Sequence, residues 1–456
     1  MKDFTLGQFL DACRGTYYGP SRLLEQKLCG VKVDSRQIQE GDLFLATVGE
    51  RTDGHRFIPQ VYEKGALCAV SQQKLTDPAG PYILVKDTLQ ALKDGAEAYR
   101  KTLSIPVVGV TGSVGKTSTK EMIAAVLGQK YKVLKTPGNF NNEIGLPLTV
   151  FMIEPEHEAA VLEMGMNHFG EMHRLSRIAR PTHCVFTNIG VAHLEFLGSR
   201  DGILKAKMEM LDYASPDARI FINGDDDKLP AMKDRAETFG LGADNQIHAD
   251  GLENLGLDGI RCRIHTPDGC LQASIPIPGM HMVYNAMAGV CVGRSLGLTA
   301  GQIEAGIRSL AALPGRGHLL HTRRYTLLDD CYNANPVSMT AMLDVLDQAL
   351  TRKVAILGDM GELGEQSEEL HASVGRHLKE LSIQVIVTIG TLSAAIHEAA
   401  KQASPSSLCI HFPDKEVFLQ ERSSILQDGD SILIKASHYM GFEQIVSILA
   451  EGDLEI

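Results

Sequence analysis

Apolar and polar positions along this chain follow two periods in turn. From residue 104 onward, short β-branched runs alternate with stretches that repeat every three or four residues. "IPVVGV" reads as a buried strand, "TKEMIAAVLGQ" as a helix, "EAAVLEM" as a strand, "GEMHRLSRIA" as a helix and "THCVFTNIG" as a strand. Strands that alternate with helices of this length form βαβ units and a parallel sheet. The interval 236–278 is rich in strand and turn signals and predicts a small β excursion. "YTLLDD", "KVAILGD", "QVIVTIG", "LCIHF" and "SILIKAS" follow later, each with a helical pattern behind it. That is the texture of a doubly wound sheet, but no G-x-G-x-x-G accompanies it, so no NAD site is indicated. Residues 1–103 mix short strands with turns and close on the helical stretch "TLQALKDGAEAYRKTL". The fold class expected is therefore α/β in three domains, 1–103, 104–315 and 316–456.

Composition narrows the functions available. The chain of 456 residues is 44% hydrophobic and 22% charged, as ordinary globular proteins are. A net charge of −12 argues against nucleic acid as the main partner. The nine cysteines are scattered and form no C-x-x-C pair, which fits reduced thiols in a cytoplasmic protein. The first residues, "MKDFTLGQFLDACRG", lack the apolar segment of a signal peptide. No apolar run reaches the roughly 20 residues needed to cross a bilayer. Met280 to Leu298 is broken by His281, Asn285 and Arg294 and predicts a buried helix.

"VVGVTGSVGKTSTKEM", Val107 to Met122, carries the chemistry. It departs from G-x-x-x-x-G-K-[ST], because Val110 stands where the first glycine would be. Gly112 takes over the first turn. The loop still lies between a strand and a helix, so its backbone N–H groups and the helix N-terminus make a concavity for phosphate. Thr111, Gly112, Ser113, Val114, Gly115, Lys116, Thr117 and Ser118 are the candidates for ATP. Lys116 would reach the β- and γ-phosphates, and Thr117 would offer a hydroxyl to Mg²⁺.

This loop, "GVTGSVGKT", resembles that of the Mur ligases and folylpolyglutamate synthases. "VDSR", "DGHRF", "TPGNFNNEIGLPLT", "LEMGMNHFGEM", "TNIGVAHLEFLGS", "LDDCYNANPVSM" and "ILGDMGELGE" occur in an order and spacing similar to the dipeptide-adding type of Mur ligase, over nearly the whole chain. The resemblance implies an ATP-dependent amide ligase that joins D-Ala-D-Ala to a UDP-N-acetylmuramoyl-tripeptide through an acyl phosphate. It implies two Mg²⁺ ions and a carbamate formed on a lysine by CO₂; the partners expected are small-molecule substrates, with no nucleic acid, no membrane insertion and a monomeric chain. A single-amino-acid-adding sister ligase or a folylpolyglutamate-synthase-like enzyme is the close alternative. A nucleotide-binding regulatory protein is the distant one.

Site residues follow motif by motif. Glu163 ends a strand, where ligands bind in open α/β sheets. His193 by residue type alone reads as a hydrogen-bonded structural residue, since Mg²⁺ prefers oxygen; the resemblance places it at the second metal. Lys207 by itself reads as a solvated helix lysine, and by resemblance is the carbamylated one, with Lys205 a near neighbour. Asn139, Asn141 and Asn142 suit either a turn or a substrate contact. By resemblance Asn285 meets adenine, Arg316 a phosphate and Asp330 the ribose, with Tyr332 and Asn333 on the same turn. Asn335 and Pro336 read as N-cap and first residue of a helix. Ser35, Arg36 and His55 are candidates for the uridine-diphosphate end, and Ser437 and His438 for the dipeptide. Two positions depart from the family: Met282 where the amide of a His-Asn pair is usual, and His438 where Lys-Gly-Ser-Arg ends in Arg.

Overall fold

The computed structural model describes residues 1, 3–49 and 52–451. The chain forms two compact units: Met1–Thr111 with Lys130–Val185 and Lys205–Ile220, and Gly112–Gln129 with Phe186–Leu204 and the chain from Phe221 onward. The architecture is α/β, with mostly parallel sheets.

In the first unit, a five-stranded sheet runs in the order Thr16–Tyr18, Tyr82–Leu84, Cys68–Ser71, Leu43–Leu45, Val31–Lys32. Only the Thr16–Tyr18 edge is antiparallel. The expected helix is Thr88–Lys101, and its cap is Asp87, whose side chain accepts from Leu89 N and Gln90 N. Gly95 lies in the middle of that helix, where glycine is ordinarily costly. A Cβ there would overlap the Phe9 ring, so glycine lets helix Leu6–Cys13 pack close. The same unit carries the strands Val133–Lys135, Ala159–Glu163 and Val107–Thr111, with His183–Phe186 beyond them. Val107–Thr111 and Ala159–Glu163 are parallel and buried at every position, as strands covered on both faces are. Their register sets Val110 opposite Glu163.

In the second unit, helix Lys116–Leu127 packs on helices His281–Ser295 and Ala300–Arg308. Gly289, Gly293 and Gly306 face Met122 and Val126 and allow the close approach. The β excursion is present as Glu237–Gly240, Ile247–Asn254, Ile260–Thr266 and Gly269–Ile275, the last three joining as an antiparallel meander. A six-stranded sheet runs His318–His321, Thr326–Asp329, Ser431–Lys435, Lys353–Gly358, Val385–Ile389, Leu408–Phe412. The last five are the strands expected from the pattern. His318–His321 was not expected: it is an antiparallel edge of four residues, too short for its period to register. Two apolar clusters lie on this sheet, one around Val354, Ile432 and Phe442 and one around Leu343, Val374 and Leu433. Among the described residues no helix is long and apolar enough to cross a membrane.

Candidate active site

Strand Val107–Thr111 ends on a fixed residue. Thr111 Oγ1 donates to Met164 O at 2.9 Å, just past Glu163 on the neighbouring strand. Gly112 then turns so tightly that a Cβ would overlap Thr187 Oγ1. Close approach is the reason glycine stands here. Gly115 has a different reason: it is left-handed, with φ 80° and ψ 2°, as N-cap of helix Lys116–Leu127.

The loop between these glycines is splinted by the segment "TNIG". Ser113 N donates to Asn188 O at 3.0 Å, and Val114 N to Asn188 Oδ1 at 2.9 Å. Val114 O accepts from Thr187 Oγ1 at 2.7 Å and Asn188 Nδ2 at 3.0 Å, and Ser113 Oγ accepts from Gly190 N at 2.9 Å. Sequence reasoning assigned no role to Thr187 or Asn188; their only signal is a Thr-Asn pair behind a strand. Lys116 Nζ donates to Gly112 O at 2.8 Å, so the ammonium lies across the loop. Thr117 is buried, and no acidic residue occupies the first turn of the helix. A helix N-terminus of this kind favours an anion through its first N–H groups and its dipole.

In the first unit, Glu163 is 2% exposed and is the last residue of its strand. Asn141 Nδ2 donates to Glu163 Oε1 at 2.8 Å, and Glu163 N donates to Thr136 Oγ1 at 2.9 Å. Gly165 N donates to Asn141 O at 2.9 Å, locking the loop onto the strand end. The three asparagines thus separate. Asn141 aims at Glu163. Asn142 Oδ1 accepts from Ile144 N and Gly145 N and starts helix Gly145–Phe151. Asn139 is exposed. The lysines of helix Arg200–Met208 separate too: Lys205 is exposed, and Lys207 is 1% exposed. The solvated reading of Lys207 does not hold.

In the second unit, His193 is left-handed (φ 63°) and precedes the short helix Leu194–Leu197. Asn285 Oδ1 accepts from Thr119 Oγ1 at 2.8 Å, and its Nδ2 donates to Met282 Sδ at 3.3 Å. The Met282 departure therefore supplies a thioether acceptor to the buried amide. The Arg316 guanidinium lies 3.9 Å over the Tyr332 ring, and the His438 ring stacks with Tyr332 at 5.2 Å. The His that stands in the Arg position thus joins an aromatic contact.

Asp330 Oδ1 accepts from Gly317 N at 2.9 Å, and Oδ2 accepts from Lys435 Nζ at 2.5 Å. Lys435 also donates to Asn333 O at 2.9 Å and is buried. This lysine was not among the expected site residues. Burial holds His281 below its ordinary pKa; Asp330 pulls it up, and Lys435 pushes it further down. Ser437 Oγ accepts from Gly361 N at 2.9 Å. Asn335 is the N-cap of helix Pro336–Asp347, with a capping box and Pro336 in the first turn, as its sequence reads.

The three N-terminal candidates differ in reach. Arg36 is exposed, and its guanidinium is held flat by Asp34 through Nε–Oδ1 at 2.9 Å and Nη2–Oδ2 at 2.8 Å. Ser35 is buried, and its carbonyl accepts from Lys64 Nζ at 2.8 Å. His55 Nδ1 lies 2.5 Å from Asp53 Oδ1, and Nε2 accepts from Gln72 N at 3.0 Å. Both ring nitrogens are thus used within the fold.

Three family descriptions match the chain: "Mur ligase family, catalytic domain" over 27–108, "Mur ligase middle domain" over 110–293, and "Mur ligase, glutamate ligase domain" over 315–438. The UDP-N-acetylmuramoyl-tripeptide–D-alanyl-D-alanine ligase of Bacillus subtilis (strain 168) is 37% identical over 457 residues, covering 99% of each chain. MurF from Acinetobacter baumannii superposes with a TM-score of 0.88 at 32% identity, over 98% of this chain and 99% of that one. MurF ligase from Thermotoga maritima, solved in complex with ADP, gives 0.81 at 29% identity, over 92% and 97%.

Proposed function

Since the chain belongs to the Mur ligase family, we propose that it joins D-Ala-D-Ala to UDP-N-acetylmuramoyl-tripeptide at the expense of ATP. The observation that carries this reading is the phosphate loop itself, splinted by Thr187 and Asn188 at the start of helix Lys116–Leu127. We divide the work among 1–103 for the UDP substrate, 104–315 for ATP and the reacting carboxylate, and 316–456 for the nucleoside and the dipeptide. The enzyme acts on small molecules, as a cytoplasmic monomer.

The tripeptide carboxylate attacks the γ-phosphorus of ATP, and ADP leaves. The D-Ala-D-Ala amine then attacks the acyl carbon, and phosphate leaves. No enzyme nucleophile is needed, so catalysis rests on positioning and on neutralising charge. Backbone N–H groups of Gly112 to Ser118 and the Lys116 ammonium hold the phosphates. Arg316 also meets a phosphate, and Asn285, Asp330, Tyr332 and Asn333 hold the nucleoside end. Asn139, Asn141, Asn142, Ser437 and His438 border the acceptor and the incoming dipeptide. Arg36 offers charge to the diphosphate, and Ser35 and His55 are further contacts for that end of the substrate.

The donor set suits Mg²⁺, since a buried hydroxyl and a buried, oriented carboxylate are hard oxygen ligands. Thr117, Glu163, His193 and a Lys207 carbamate would hold it. When bound, Mg²⁺ neutralises developing phosphate charge.

Product analysis tests the reading. Purified protein with ATP, Mg²⁺ and UDP-muramoyl-tripeptide should release phosphate and form pentapeptide only when D-Ala-D-Ala is added. Stimulation by a diamino acid or by glutamate instead would make it a sister ligase. Absence of stimulation by any amine would end the ligase reading.

A further inference from the structure

The motif "LGDMGELGE" has no role so far, yet it ends beside His193. Glu362 Oε2 lies 3.1 Å from His193 Nδ1. Among the described residues six non-glycine positions have positive φ, and two of the six, His193 at 63° and Glu362 at 60°, meet in this pair. Left-handed backbone disfavours residues with a Cβ, and such outliers concentrate where a side chain must be aimed. Stability is a poor reason for the pair. The Glu362 side chain is 56% exposed, and exposed ion pairs add little.

The turn that carries Glu362 is built rigidly, residue by residue. Asp359 Oδ1 accepts from Ser393 N at 2.7 Å, and Asp359 O accepts from Ser437 N at 3.0 Å. Met360 N donates to His371 Nε2 at 2.9 Å, and Gly361 N donates to Ser437 Oγ at 2.9 Å. The next residue is Glu362, so its backbone is delivered by three anchored neighbours. The Glu362 carboxylate thus faces His193 at ion-pair distance.

We propose that Glu362 is a positioning residue for the ligation reaction: it accepts the His193 Nδ1 proton, fixes that tautomer and ring orientation, and so directs Nε2 as the ligating nitrogen. A carboxylate on the far nitrogen of a ligand histidine does this in metal sites generally. The same contact ties the "GDMGELG" turn and Ser437 to the phosphate-loop side of the reaction. The inference rests on the ligase reading above.

Three variants of the full chain test it. Glu362→Gln keeps the shape but weakens the acceptor, and should lower kcat on the order of tenfold while KM for the tripeptide substrate stays put. Glu362→Gly removes the side chain and relieves the left-handed backbone, so kcat should fall while Tm holds or rises. Glu362→Asp keeps the charge one methylene short, and its kcat should lie between Gln and wild type. In ¹⁵N-histidine-labelled protein the His193 ring resonances, identified by their loss in His193→Gln, should move on Glu362→Gln.

Unchanged kcat and unchanged His193 resonances in Glu362→Gln would overturn the inference while wild-type ligation leaves the function intact. A Glu362→Gly variant whose activity falls only in step with a falling Tm would reduce the pair to a structural contact and overturn it too. A wild-type chain that forms no pentapeptide would overturn both readings.

Discussion

Asn141 is fixed twice to the end of the Glu163 strand: its Nδ2 donates to Glu163 Oε1 at 2.8 Å, and its backbone carbonyl accepts from Gly165 N. Glu163 is nearly fully buried, so this amide sets which way the carboxylate faces. Asn141→Ala should lower kcat on the order of tenfold, the scale of one hydrogen bond to a charged group. Asn141→Asp should be worse, because it puts a second carboxylate against the first. Steady-state kcat over a Mg²⁺ series checks this; an Asp variant as active as wild type would mean the orientation of Glu163 is irrelevant.

The phosphate loop makes a steric prediction. Gly112→Ala drives a methyl into Thr187 Oγ1, so ATP binding should be lost. Thr187→Ala in the same chain removes the obstructing oxygen and should restore part of the affinity. Equilibrium ATP binding to the single and double variants measures this. Equal loss in both would place the obstruction elsewhere.

Lys116 and Thr117 should be needed for different reasons. Lys116→Ala removes the charge that follows the transferring phosphoryl group, so kcat should fall by orders of magnitude. The bond it makes to Gly112 O is local, so Tm should barely change. Thr117→Val keeps the shape but deletes a hydroxyl, and raised Mg²⁺ should recover part of the rate. Near-normal turnover by Lys116→Ala would remove the loop from the mechanism.

Burial separates the two lysines of helix Arg200–Met208. Lys205→Ala should behave as wild type, since that side chain is exposed. A buried ammonium beside a divalent ion is repelled by several kcal/mol at intermediate dielectric, about 4 kcal/mol for unit charges at 4 Å. Conversion of Lys207 to a carbamate reverses the charge and supplies oxygen ligands. Lys207→Ala should abolish ligation, and acetate or formate should restore part of it. Protein equilibrated with ¹³CO₂ should show a carbamate carbon resonance that is absent from the variant; its absence from wild type would end the carbamate idea.

His183 should make stability depend on pH. Burial, with a smaller push from Arg219, lowers its pKa from 6.5 to about 4. The unfolded chain therefore binds a proton that the folded chain refuses between those values. Its contribution is complete above pH 6.5 and is lost as pH falls from 6.5 toward 4, about 3 kcal/mol across the window by linkage. Denaturant midpoints for wild type and His183→Gln should converge as pH falls. A constant gap across the window would assign the effect to other groups.

Sequence alone determined what depends on neighbours a few residues apart. Strands and helices from "IPVVGV" onward were legible because pleat and helix turn print their periods on the chain. So were the phosphate loop, with a glycine at 112 and another at 115, and the cap at Asn335. Motif order carried the family. Tertiary structure decided whatever depends on residues far apart in the chain. Lys205 and Lys207 are alike in a sequence; only packing buries one. Asn139, Asn141 and Asn142 are alike until a strand end 22 residues on selects Asn141. Asn188 became the splint of the loop across 74 residues, and Glu362 met His193, because hydrogen bonds and ion pairs between distant residues leave no period to read. Met282 and His438, which looked like losses against the family pattern, acquired partners in Asn285 and Tyr332 only when the chain folded.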